Sequence, residues 1–88
     1  MTDSRRHVVA LTVNHGDYNH MFLGRGPDIL SAAEDAALQT SYAADLFDRN
    51  DPHYDSRNKF REELHAALTA GKPYRGFGWC TFESALPQ

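Results

Sequence analysis

The chain predicts an α+β fold in the order β-β-α-α-β: a three-stranded antiparallel sheet with two helices packed on one face. Three observations carry that prediction. Two extended patterns flank the turn residues Asn14, His15, Gly16 and Asp17. Two apolar stripes of helical period follow, over residues 26–47 and 56–70. A final segment, YRGFGWCTF, alternates with a period of two.

The first strand begins at His7, after a polar lead-in over residues 1–6 that is expected to be mobile. In HVVALTVN, Val9, Leu11 and Val13 fall on one face and Val8, Ala10 and Thr12 on the other, so the strand is covered or central. The pattern YNHMFLG resumes the extended chain and makes residues 7–24 a hairpin. Gly24-Arg25-Gly26-Pro27 then reads as a tight corner, glycine supplying flexibility and proline preorganising the next helix.

The stretch from 26 to 47 reads as one long helix. Asp28 or Ser31 can cap it, and Ser31 with Glu34 has capping-box spacing. At 100° per residue, Ile29, Ala33, Ala36, Ala37, Thr40, Ala43, Ala44 and Phe47 share one face. Small side chains let a helix approach a sheet closely, so this face is expected to lie on the strands, pinned by Ile29 and Phe47. Leu38, Tyr42 and Leu46 form a second apolar line at i, i+4, i+8, flanked by Glu34, Asp35, Asp45 and Asp48.

Asn50, Asp51 and Pro52 stop that helix. Asp55 or Ser56 can cap the second, whose stripe is Phe60, Leu64, Ala67 and Leu68, and Gly71 with Pro73 closes it. The last segment sets Phe77, Trp79 and Thr81 against Gly76, Gly78, Cys80 and Phe82, and reads as a third strand beside the first. Its glycines mark a bulge or a close helix crossing.

Eighty-eight residues make one domain, spanning 1–88. A chain of this length buries only about 60–65% of its unfolded surface, which leaves little room for a large cleft. Hydrophobic content of 41% and aromatic content of 11% are those of a folded domain. No apolar run approaches the ~20 residues of a membrane span, and residues 1–6 lack a following signal core, so a cytoplasmic location is expected. The lone Cys80, between Trp79 and Thr81, fits a buried, inert thiol in a reducing compartment.

The net charge of −3 is unevenly spread. Residues 28–55 carry seven acids against Arg49, whereas residues 56–75 carry Arg57, Lys59, Arg61, Lys72 and Arg75 against two glutamates. Such asymmetry bears on partners and encounter rates.

Chemistry-bearing motifs are weak. His15, Asp17 and His20 share the hairpin tip, but a structural zinc site wants four ligands, usually with thiolates. His53 lies beside Asp51 and Asp55 without paired-carboxylate spacing, and Pro52 and a missing glycine break the calcium-loop pattern. Gly24 to Pro27 is neither a Walker loop nor a dinucleotide fingerprint, and Pro27 removes an amide that a phosphate site needs. No metal, cofactor or catalytic set is implied.

Three function classes follow in order. The leading one is a non-enzymatic protein-binding or inhibitory module presenting Glu34, Asp35, Leu38, Tyr42, Asp45, Leu46, Asp48 and Asp51 to a basic surface on a larger protein or nucleoprotein complex. Small phage or mobile-element inhibitors, anti-CRISPR proteins among them, are similar in general character, a likeness of class that no motif carries. The same apolar line offers a seam for a homodimer. The second class is a nucleic-acid-binding module using Arg57, Lys59, Arg61, Lys72 and Arg75 with nearby aromatics. Acidic net charge disfavours it, and an internal role for the basic segment, lying against the acidic helix, competes with it. A small His-dependent metal enzyme using His15, His20 or His53 comes third.

Overall fold

The computed structural model describes residues 7–85 and contains a four-stranded antiparallel sheet covered by two helices. The expected polar lead-in, 1–6, lies outside the described residues. Strands β1 (His7–His15) and β2 (Tyr18–Gly26) form the first hairpin, α1 (Ile29–Ala37) and α2 (Asn58–Thr69) follow, and β3 (Tyr74–Phe77) and β4 (Cys80–Ser84) form a second hairpin. The sheet order is β2-β1-β4-β3, with β4 antiparallel to β1. The last strand therefore lies beside the first, as the sequence predicts.

The fourth strand corrects the three-stranded expectation. What reads as one alternating segment is folded back on itself at Gly78, whose φ of +59° is the left-handed conformation that a two-residue hairpin turn reserves for glycine. Gly16 plays the same part in the first hairpin with φ +62°.

The core face of the sheet is built by Val9, Leu11 and Val13 of β1 and Cys80 and Phe82 of β4, all buried. Leu11 stands opposite Phe22 on one side and Phe82 on the other, so the centre of the sheet is an aliphatic side chain between two aromatic rings. Helix α1 lies over β1 and β2, α2 over β3 and β4, and the two helices touch.

The long helix expected over 26–47 is shorter. It ends at Ala37, passes through turns, and resumes as a 3-10 segment at Ala44–Phe47. Polar side chains compete for the backbone at the break: Thr40 Oγ1 accepts from the Tyr42 amide, and Gln39 Nε2 donates to the helix carbonyl of Asp35 at 3.2 Å as well as to the carbonyl of Leu23 at 2.7 Å. Most of the inward face nevertheless survives, although Ala44 is half-buried and Leu46 enters the core in addition. Ala33, Ala36, Ala37, Thr40, Ala43 and Phe47 are all buried, with Ile29 packed against them.

The corner at Gly24 and Gly26 also has a different cause. Neither glycine has positive φ, and β2 runs through to Gly26. Their value is the missing side chain: a Cβ on Gly24 would sit 2.2 Å from the carbonyl oxygen of Ala32 and 2.2 Å from the amide nitrogen of Ala36. The alanine face of α1 lies directly on a glycine of β2.

Asp28 caps α1, its Oδ1 accepting from the Ser31 amide at 2.7 Å. That bond holds its carboxyl below the ordinary value of 3.8. A lowered folded-state pKa gives stability that is present above pH 3.8 and lost as pH falls through the folded value. Asp28→Ala is therefore expected to cost about 1 kcal/mol at neutral pH. In thermal melts down a pH series, the gap between wild type and variant should close below pH 3.8.

Helix α2 has no side-chain cap at its start; Ser56 Oγ donates to the His53 carbonyl instead. Its end follows the glycine rule. Gly71 takes φ +76°, with its amide donating to Leu68 O and the Lys72 amide to Ala67 O, a Schellman closure. Leu64 and Leu68 are buried, with Phe60 and Ala67 packed beside them.

Candidate functional site

Three chain segments meet at one end of the sheet: the β1–β2 turn, the β3–β4 turn, and the stretch from Tyr42 to Arg57. The Asn14 amide donates to the carbonyl of Trp79 at 3.0 Å and ties the two turns together. The Cys80 thiol points to the carbonyl of Tyr42 at 3.7 Å, joining the third segment. Burial pushes that thiol's pKa up, so Cys80 is the inert group its neighbours suggest.

Aromatic rings gather on this end. The His15 ring lies 4.7 Å from Trp79 and 5.5 Å from Tyr42, and its Nδ1 is 3.3 Å from the Tyr42 hydroxyl. Tyr18 packs on Tyr42 at 5.4 Å and on His20 at 6.0 Å, and His20 reaches Phe22 at 4.8 Å. Alternation along β1 and β2 explains the grouping: His15, Tyr18, His20 and Phe22 share the helix side of the sheet, with Phe22 packed against the core. Trp79 is 56% exposed and Tyr18 41%. The hairpin-tip histidines thus belong to an aromatic cluster.

Three residues beyond Tyr42 the chain enters an acidic turn, which Arg57 links to Phe77, two residues before Trp79. One carboxylate oxygen from each of Asp45, Asp48 and Asp51 falls within 4.8 Å of the others. Local backbone bonds hold two of them: the Asn50 amide donates to Asp48 at 2.9 Å and the His53 amide to Asp51 at 2.8 Å. The His53 amide, ahead of the Arg57 guanidinium, keeps the Asp51 carboxyl below its ordinary value. Arg57 pairs with Asp51 at 3.0 Å, donates to the carbonyl of Asp45, and lies 5.8 Å from the Phe77 ring. One guanidinium among three carboxylates leaves a net negative charge.

The proposed surface residues divide. Asp45, Asp48 and Asp51 come together, with Tyr42 half-buried in the adjoining cluster. Glu34 and Asp35 stand apart: Glu34 pairs with Arg49 at 3.5 Å, and Asp35 accepts from the Arg25 amide at 2.9 Å. Leu38 is exposed, but Leu46 is fully buried, so the expected Leu38-Tyr42-Leu46 line does not exist as a surface. The cause is the break after Ala37, which destroys the i, i+4, i+8 geometry and turns Leu46 inward.

The basic set divides too. Arg61 is 6% exposed, donates to the carbonyls of Leu46 and Tyr54 at 2.6 Å each, and stacks 3.7 Å above the Tyr54 ring. It is a structural cross-brace between α2 and the irregular segment. Arg57 is the neutralising partner of the acidic turn. Lys59, Lys72 and Arg75 remain exposed. The expected basic face therefore loses two of its five members. The exposed aromatic end was not anticipated; the signal was Trp79 beside Gly78 in a turn, together with aromatic residues at alternate positions 18, 20 and 22.

No family model, curated protein or solved structure matches the chain. Among the described residues, no helix is long and apolar enough to cross a membrane.

Proposed function

We propose that this chain is a protein-binding module that acts by occupying a partner surface, using the aromatic end and the acidic turn together. The observation that carries the reading is the exposed Trp79, packed on a His15 ring that also meets Tyr42, together with three clustered carboxylates of which, among the described residues, Asp51 alone has an ion-pair partner, Arg57. Rigid aromatic rings bury large area at small entropic cost, and an adjoining negative field selects and steers a basic partner. Asp45, Asp48 and Asp51 are the acidic contacts, and Trp79, Tyr18 and Tyr42 the anchors. The partner is a larger protein or nucleoprotein complex with an Arg- and Lys-rich surface, such as a channel that otherwise holds nucleic acid. An inhibitor of the phage or mobile-element kind would work in this way.

The test is capture of a partner from a lysate of the source cells by immobilised protein. Trp79→Ala is expected to weaken capture at least ~30-fold, about 2 kcal/mol. Asp45→Lys with Asp48→Lys should abolish it, and heparin should compete with the wild type, all with unchanged circular dichroism. Equal capture by the wild type and both variants would sink the reading. The nucleic-acid reading is weaker because Arg57 and Arg61 are spent internally; a mobility shift at low salt that survives Lys59→Glu, Lys72→Glu and Arg75→Glu would contradict both assignments.

A further inference from the structure

We infer that the outer edge of β2 is a self-docking strand, through which two copies of this chain pair antiparallel about a two-fold axis at His20. Strand β2 is an edge strand whose neighbour in the sheet is β1 alone. Its odd-numbered residues turn their backbone groups away from β1. Two of these groups are closed from α1 and the turn after it: Gln39 Nε2 donates to Leu23 O, and the Arg25 amide donates to Asp35 Oδ2. Nearer the turn, the amides and carbonyls of Asn19 and Met21 have no protein partner among the described residues.

That pair of residues is self-complementary. In an antiparallel pairing centred on His20, Asn19 faces Met21 of the second copy and Met21 faces Asn19 of the second copy. Each facing pair exchanges two N–H···O bonds, so every open group of both residues is satisfied. The pairing cannot continue past Leu23, because Gln39 holds its carbonyl. A longer foreign strand therefore gains little over a second copy.

Two further observations point to the same occupant. Residues 18–22 carry no formal charge in a chain of net charge −3, so the seam spares like copies the repulsion they would meet elsewhere. Pairing also covers exposed apolar surface, since Met21 is 60% exposed and Tyr18 would face Phe22 of the second copy. The opposite edge shows the usual protection: β3 has four residues, an irregular register against β4, and Pro73 before it. Strand β2 has nine residues and neither proline nor lysine. The joined sheet would have eight strands, and the aromatic ends of the two copies would lie side by side.

Sedimentation equilibrium from about 10 µM to 1 mM should show a mass rising towards twice 9.9 kDa. Met21→Pro, which removes an outward amide that edge strands can lose, should stay at 9.9 kDa with wild-type circular dichroism. A wild type that remains monomeric throughout, or a folded Met21→Pro that still doubles, overturns the proposal. Should Met21→Pro fail to fold, His20→Cys decides. Directly opposed residues at such a position lie about 4.5 Å apart at Cα, within disulfide range. Oxidation should then give a covalent dimer, while Glu83→Cys on β4 should give none; absence of the His20→Cys dimer overturns the pairing.

Discussion

Gly24→Ala is expected to destabilise the fold by about 3 kcal/mol, a fall in Tm of roughly 12–24 °C for a domain of this size. The added methyl would meet the Ala32 carbonyl oxygen and the Ala36 amide nitrogen, both at 2.2 Å, and the Ala36 Cα at 2.8 Å. All three atoms belong to the helix backbone, so no side-chain rotation relieves the contact. Helix α1 must lift from β2, and Ala32, Ala33, Ala36 and Ala37, all fully buried, then lose the close contact that their small size permits. Gly16→Ala is the control. It shares the loss of glycine but has nothing within 4 Å, and only the strain of φ +62° acts on it, about 1 kcal/mol. Differential scanning calorimetry of both variants separates close approach from backbone freedom. If Gly24→Ala melts no lower than Gly16→Ala, the helix–strand contact is not what makes glycine necessary there.

Arg61→Met should cost about 3 kcal/mol for a different reason. Methionine keeps much of the apolar stem, but the carbonyls of Leu46 and Tyr54 lose the donors that reach them at 2.6 Å. Leaving the Leu46 carbonyl without that donor and the Tyr54 carbonyl with the Arg57 amide at 3.2 Å, and removing a cation 3.7 Å above the Tyr54 ring, acts on the irregular stretch between α1 and α2. Arg61→Lys should recover less than half of the loss, since an ammonium does not span both carbonyls with a planar fork. Urea denaturation gives the magnitudes, and amide exchange should show the loosening concentrated between Leu46 and Tyr54. A residue that contacted nucleic acid would behave in the opposite way, keeping stability and losing binding.

These two positions mark where the sequence was readable and where it was not. The strands β1 and β2, the alanine face and the α2 stripe follow from period, because burial imposes 2.0 or 3.6 on any amphipathic element. Periodicity cannot show how far an element extends. Residues 38–47 keep helical spacing while Gln39 and Thr40 divert the backbone, and the acidic ridge drawn along one helix splits into Glu34 and Asp35 on one side and the Asp45, Asp48 and Asp51 turn on the other. Nor does composition distinguish an arginine that faces solvent from one that braces the interior. Arg61 occupies a helix position next to the apolar stripe, and only the carbonyls of a distant segment make its burial tolerable.

The candidate site was legible in pieces. Tyr42, Asp45, Asp48 and Asp51 were marked from the sequence, whereas His15, Tyr18 and Trp79 belong to turns separated from them by 24 residues or more in the chain. Closing the β3–β4 hairpin at Gly78 brings Trp79 against His15, and Cys80 against the carbonyl of Tyr42.

By itself the sequence determined an α+β domain, the antiparallel first hairpin, the placement of the last strand beside the first, and the inner face of α1. Each follows from local chemistry: β-branched runs, turn glycines, a capping aspartate and apolar periodicity. Tertiary structure decided the fourth strand, the end of α1 at Ala37, the burial of Leu46 and Arg61, and the gathering of the aromatic rings and of the three carboxylates. The reason is that these features depend on contacts between residues far apart in the chain, where a hydrogen bond to a distant carbonyl or a gap left by a glycine outweighs the preference of the local segment.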